Sequence, residues 1–198
     1  MLVELTAVAQ SALPLARLKH HLRLGSGFGE DTTQDTLLAG FLRAALAAVE
    51  RRTGRALYER EFRWTLPRWR GIKAVALPVA PVTVVSAITI RDLAGMETDV
   101  PAGLWQLRPD NTLHGGSQGL PRIPVGGQAM VDFLAGYGPE FTDLPDDLQQ
   151  AVVMLAAHYH DYRHDTALGA GCMPFGVTAL TEGYRHMRLT MFGVEMLQ

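Results

Sequence analysis

The stretch that decides the fold is Pro81-Val-Thr-Val-Val-Ser-Ala-Ile-Thr-Ile-Arg-Asp92. Val82, Val84, Ser86, Ile88 and Ile90 alternate with Thr83, Val85, Ala87, Thr89 and Arg91, and this period of two in a run rich in β-branched residues is that of a strand. Working outward, Phe62, Trp64 and Leu66 alternate with Arg63 and Thr65 in the same way. Downstream, Asp92 to Gly95 is a turn leading to a partner strand. Trp105 to Arg108, Leu113, Arg122-Ile123 and Met130 to Ala135 supply further short strands between Gly/Pro loops. The 20 glycines and 11 prolines concentrate between Pro67 and Pro145, which marks a β insertion over about 58–135.

On either side the period lengthens to that of a helix. Pro14 suits a first helical position, and Leu15, Leu18 and Leu22 carry a helix over about 14–24 to a stop at Gly25. After a polar loop, Leu38, Phe41, Leu42, Ala45 and Val49 mark a second helix over 36–53, ending at Thr53-Gly54. Its alanines (44, 45, 47 and 48) permit close approach by another helix, within the fold or from a second subunit. A third helix over 145–164 places Pro145, Asp146 and Asp147 at its positive end and Leu148, Val152, Leu155, Ala156 and Tyr159 on one face. A Gly-rich break from Gly169 to Gly176 precedes a last helix over 177–186. The expected fold is α+β, mainly helical: a helical bundle with a small antiparallel β-sheet inserted between its N-terminal and C-terminal helices. Residues 1–186 are read as one domain and 187–198 as an apolar tail.

Composition bounds the function. The chain has 198 residues, 47% of them hydrophobic; at about 150 residues per domain that is one self-sufficient domain, burying roughly 70% of its unfolded surface. A formal net charge of −2 excludes a nucleic-acid-coating protein with an overall basic excess. The single Cys172 excludes an internal disulfide and a multi-Cys zinc site and suits a reducing compartment. The most apolar run, Ala151 to Ala157, is too short to span a membrane. Met1 to Pro14 carries Glu4 and no basic leader. A soluble, intracellular protein is expected.

The most chemical-looking motif is His158-Tyr-His-Asp-Tyr-Arg-His-Asp165, where His160 and His164 stand one helical turn apart at metal-ligand spacing. A catalytic zinc needs a third protein ligand and a base that reaches the bound water, and Asp161 is one methylene shorter than the usual Glu. The competing reading is a polar helix end whose His and Arg complement the dipole. Gly25-Ser-Gly-Phe-Gly29 follows a helix and lacks the dinucleotide and phosphate-loop patterns, and Gly115-Gly-Ser-Gln-Gly119 reads as a mobile hairpin tip. There is no Gly-x-Ser-x-Gly elbow, and Cys172 has no evident base. No catalytic residue and no cofactor is assigned.

Charge is unevenly placed. Arg51, Arg52, Arg55, Arg60, Arg63, Arg68, Arg70 and Lys73 face only Glu59 and Glu61 in the same stretch, whereas Glu140, Asp143, Asp146 and Asp147 form an acidic segment. Separated patches on a nearly neutral chain fit a surface meeting its complement, as in a head-to-tail assembly. The competing readings are solvated faces and DNA contact by the basic stretch, with Trp64 and Trp69 either stacking on bases or lying in the core.

Several segments, in order, resemble the head-tail connector (adaptor) proteins of long-tailed phages and gene transfer agents. They are LARLKHHLRL (15–24), VERRTGRAL (49–57), Leu66 with Leu77-Pro78 and PVTVVSAITIRD (81–92), Ala135-Gly-Tyr-Gly138, LPDDLQQAVVMLAAHYHDYR (144–163) and VTALTEGYR (177–185). The resemblance implies a non-enzymatic protein that forms a ring of twelve copies under the portal protein. Such a ring continues the DNA channel with non-specific DNA contact and meets a tail-side stopper or tail terminator, with no membrane partner. It also implies assembly in the host bacterial cytoplasm, then residence in the virion or gene transfer agent particle. On this reading the candidates for subunit or portal contact are Arg51, Arg52, Arg55, Arg60, Arg63, Glu140, Asp143, Asp146 and Asp147, with Leu189, Met191, Phe192, Val194, Met196 and Leu197 of the tail entering the portal. The alternatives are a metal-dependent hydrolase using His160 and His164, and a DNA-binding accessory protein of DNA packaging.

Overall fold

Strand alternation is visible directly in burial. In β2 (Arg60–Leu66) residues 60, 62, 64 and 66 are buried while Glu61 and Arg63 are exposed, as a half-covered strand requires. The computed structural model describes residues 1–24, 32–163 and 173–185. Its strands are β1 (Leu2–Glu4), β2, β3 (Ala74–Ala76), β4 (Val82–Arg91), β5 (Glu97–Asp99), β6 (Trp105–Leu107), β7 (Thr112–Gly115) and β8 (Gln128–Ala135). Its helices are α1 (Leu15–His21), α2 (Thr32–Thr53), α3 (Asp146–Asp161) and α4 (Phe175–Glu182).

The strands make two sheets, one of five in the order β1-β2-β8-β4-β5 and one of three in the order β3-β7-β6. Every named pairing is antiparallel. This corrects the expectation of a mainly helical bundle with one small inserted sheet: eight strands in two sheets stand beside four helices among the described residues. The short strands underlie the miss. Leu2-Val-Glu and Ala74-Val-Ala are too short to show a period, yet they build the edge strand of one sheet and an outer strand of the other. Conversely, Arg122-Ile123 is not a strand; it lies between Pro121 and Pro124, neither of which can donate to a ladder.

The two sheets share a core. Phe62, Trp64 and Leu66 of β2, Val131 and Phe133 of β8 and Ile88 and Ile90 of β4 pack with Val75, Leu77, Leu113 and Leu120 of the smaller layer. Phe62 and Phe133 are directly paired across the ladder, their rings stacked at 5.7 Å, a cross-strand contact of up to about 1 kcal/mol. Strand β4 departs from simple alternation: its register shifts between Val82 and Val84 and again between Val85 and Ala87. These bulges turn Val85 inward and leave Val84 46% exposed, the reverse of the expected faces.

The helices enclose a second core. Leu38, Leu42, Ala45 and Val49 of α2 meet Leu148, Val152, Leu155 and Ala156 of α3, with Leu18 of α1 and Val177 of α4. Ala45 and Ala48 are buried here, so the close approach permitted by the Ala-rich helix is used inside the fold. Pro145 caps α3, and Asp146 and Asp147 sit in its first turn, where the helix dipole favours them.

The connection between the cores is tight at Ala135-Gly-Tyr-Gly138. Gly136 has φ +138°, and a Cβ there would stand 2.3 Å from the Tyr58 carbonyl oxygen. Glu59 N donates to Gly138 O at 2.9 Å and Tyr137 N to Leu57 O at 3.1 Å. Replacing Gly136 by Ala combines backbone strain with a steric clash and is expected to cost about 2 kcal/mol or more, lowering Tm by roughly 4–8 °C. Thermal unfolding followed by circular dichroism checks this.

Candidate functional site

The basic segment runs from the last turn of α2 into β2, and most of its charge is engaged within the chain. Arg52 Nε donates to Thr181 Oγ1 at 3.0 Å, and its guanidinium lies 3.7 Å from Glu182. Arg55 Nε donates to the Tyr184 carbonyl at 3.2 Å, with the guanidinium 5.7 Å from the Tyr184 ring centre. These two arginines fasten α4 to the end of α2. Burial raises the Tyr184 hydroxyl pKa and nearby Asp147 raises it further, while Arg55 acts in the opposite direction. The basic and acidic segments therefore approach each other at Tyr184.

Arg60 is 8% exposed. It pairs with Glu50 of α2 and, at 2.9 Å, with Glu4 of β1, and lies 5.4 Å from the Phe62 ring centre. Burial opposes its charge, but the two carboxylates hold its pKa above the ordinary arginine value. Arg63 grips Asp132 of β8 through two bonds of 2.7 Å on the exposed face of the sheet. Of the five basic candidates, Arg51 and Arg55 have no carboxylate within ion-pair distance among the described residues; Arg55 is half-buried against Tyr184 and Arg51 is exposed.

All four acidic candidates are exposed. Glu140 and Asp143 close a reciprocal capping box ahead of α3, with Glu140 N donating to Asp143 Oδ2 at 2.8 Å. Asp146 Oδ1 accepts from the buried Gln149 at 3.4 Å. The tail candidates Leu189, Met191, Phe192, Val194, Met196 and Leu197 lie outside the described residues, as does His164. His160 packs edge-on against Phe41 at 6.1 Å and has Nδ1 3.1 Å from Asp161. Among the described residues no three His, Cys, Asp or Glu side chains form a group able to hold a metal.

Neither tryptophan of the basic stretch is a free stacking platform. Trp64 is buried, and Trp69 is half-buried and donates Nε1–H to Pro121 O at 2.7 Å. Trp69 instead helps to form a groove of about 850 Å³ beside the smaller sheet, lined by residues of 67–72, 103–104 and 116–123. The Gly115–Gly119 tip, expected to be mobile, forms one wall. Leu120 N donates to Ile72 O at 2.7 Å just beyond it, and Cβ atoms at Gly115 or Gly119 would collide with backbone. The sequence signal for this groove was the Gly-rich loop itself, combined with the Pro67-Arg-Trp-Arg70 segment that faces it.

This architecture recurs, with 96% of this chain and 97% of the other covered each time, in three solved structures. In the neck of an empty gene transfer agent particle computed with C6 symmetry, identity is 48% and TM-score 0.86. In the neck of the native particle computed with C12 symmetry the values are 45% and 0.82, and in the native gene transfer agent virion 48% and 0.84. The chain belongs to the head-tail connector family. No family model and no curated protein matches the sequence. The connector is a structural protein; neither the hydrolase centred on His160 and His164 nor the DNA-packaging accessory protein is supported by these relatives.

In the connector, Arg60 and Arg63 separate by environment. Arg60→Leu leaves the half-buried Glu50 carboxylate without its cation and is expected to cost about 3 kcal/mol. Arg63→Leu breaks an exposed pair and is expected to cost under about 1 kcal/mol. Urea denaturation of both variants measures the difference; equal losses would contradict the assignment of Arg60 to the interior.

Proposed function

We propose that twelve copies of the connector close head to tail into a ring in the neck of a tailed particle. The ring sits beneath the portal protein, continues the DNA channel and meets a stopper or tail terminator protein on its tail side. The observation that carries this reading is the full-length likeness to chains from necks computed with C12 and C6 symmetry. A rotational ring uses two different, complementary patches on each copy. The exposed acids Glu140, Asp143, Asp146 and Asp147 and the exposed Arg51, flanked by Arg52 and Arg55, are our candidates for such contacts. Residues 1–186 act as one connector domain.

The ring is a mechanical part with no catalytic residue, assembled in the host bacterial cytoplasm and carried in the finished phage or gene transfer agent particle. No helix among the described residues is long and apolar enough to cross a membrane, and no membrane partner is proposed. DNA in the channel is held by backbone attraction alone. Residues 187–198 form the portal-binding segment, with Leu189, Met191, Phe192, Val194, Met196 and Leu197 burying their side chains on insertion.

Deleting the residues after Arg188 is expected to abolish co-purification with the portal protein while leaving Tm within a few degrees of the full chain. Undiminished portal binding contradicts the role of the tail. Affinity for a short DNA duplex is expected to fall steeply as salt rises, whatever the base sequence; salt-independent binding in a titration followed by fluorescence anisotropy rejects the channel contact.

A further inference from the structure

Two surface features complement each other. The first is the tip of the β4–β5 hairpin, where Leu93 is 80% and Met96 68% exposed. Val125, 88% exposed, stands beside them, because a Cβ on its neighbour Gly126 would come 3.0 Å from Leu93 Cδ1. Asp92 N donates to Met96 O at 3.0 Å, and Asp92 Oδ1 accepts from Met96 N at 2.8 Å. The tip therefore has a defined shape and loses little freedom on burial. Its flanks are acidic: Glu97 pairs with Arg91, and Asp92 and Asp99 have no ion-pair partner among the described residues.

The second feature is the groove beside the smaller sheet. Ile72, 74% exposed, and Leu104, 49% exposed, offer apolar surface next to Trp69 and Ile123. Arg68 and Arg122 line it, no carboxylate does, and neither arginine has an ion-pair partner among the described residues. An apolar knob with acidic flanks and an apolar groove with basic walls match in both chemistry and charge. Solvated apolar clusters of this kind mark interaction surfaces.

We propose that the hairpin tip of one copy seats in this groove on the next copy around the ring. Leu93 and Met96 cover Ile72, Leu104 and Trp69, and the acidic flanks face Arg68 and Arg122. Knob and groove are different patches on one chain, so the contact is heterologous and repeats from copy to copy instead of ending in a two-fold dimer. Phosphate would meet Arg68 and Arg122 but leave Ile72, Leu104 and Trp69 uncovered, whereas the apolar tip covers them while its carboxylates meet the arginines, so the occupant is protein and not the DNA of the channel. This inference rests on the ring reading above and assigns it a specific interface.

The test uses the full chain carrying Cys172→Ser. Leu93→Cys and Ile72→Cys proteins with tags of different size are mixed on the portal protein and oxidised. The expected product is a disulfide-linked pair holding one copy of each, with neither variant alone giving more than background. A chain carrying both substitutions is expected to give a ladder of linked copies. Leu93→Asp is expected to raise the concentration needed for ring assembly at least about tenfold without changing Tm, since Leu93 is exposed. Rings that assemble normally with Leu93→Asp and show no mixed disulfide overturn the proposed seat and leave the ring standing. A Cys172→Ser chain that forms no ring with or without the portal protein overturns the ring reading and this interface with it.

Discussion

The Arg60 guanidinium joins the two halves of the connector. It is buried where the chain leaves the helical core and enters the sheets, and it pairs with Glu50 of α2 on one side and Glu4 of β1 on the other. Glu50 also accepts from Leu57 N at 2.8 Å, and Tyr58 O–H donates to Ala12 O at 2.7 Å. Burying charge is costly, and such pairs contribute geometry more than net stability. Here the geometry is the angle between a helical core and a two-sheet core that otherwise share little apolar contact. A part that joins head to tail needs that angle held.

This arrangement separates scaffold from contact surface. Most of the interior is apolar side chains on helices and strands, whereas the groove, the hairpin tip and the acidic cap before α3 are turns and loops at their edges. Rigid elements that present loops are the usual way a fold keeps a binding surface in place. The glycines at 115, 119, 136 and 138 follow the same logic, each permitting an approach of chain segments that a Cβ would block.

The long elements were legible in the sequence. Alternation in Phe62 to Leu66 and the spacing of Leu148, Val152 and Leu155 name their own faces, since each side chain's burial follows from a local period. What stayed hidden depends on distant residues. Arg60 reads as one more member of a basic run because its partners, Glu4 and Glu50, lie on other elements, although the alternation of Phe62, Trp64 and Leu66 extended by one step places it on the buried face. The bulges that invert Val84 and Val85 are set by pairing with β8, which no window on β4 reveals. The three-residue strands β1 and β3 carry no period, and their omission made the fold look more helical than it is. The groove is assembled from three loops, and no local signal joins the glycine-rich one to Pro67–Ile72 or to Gly103-Leu104.

The ring reading makes this chain one repeat of a closed rotational assembly. Cryo-electron microscopy of the full-length connector bound to its portal protein tests it most directly, with reconstruction carried out without imposed symmetry. A ring of twelve connector densities coaxial with the portal and open along its axis is expected. A single copy, an isologous dimer or a cluster with no open axis on the portal would contradict it.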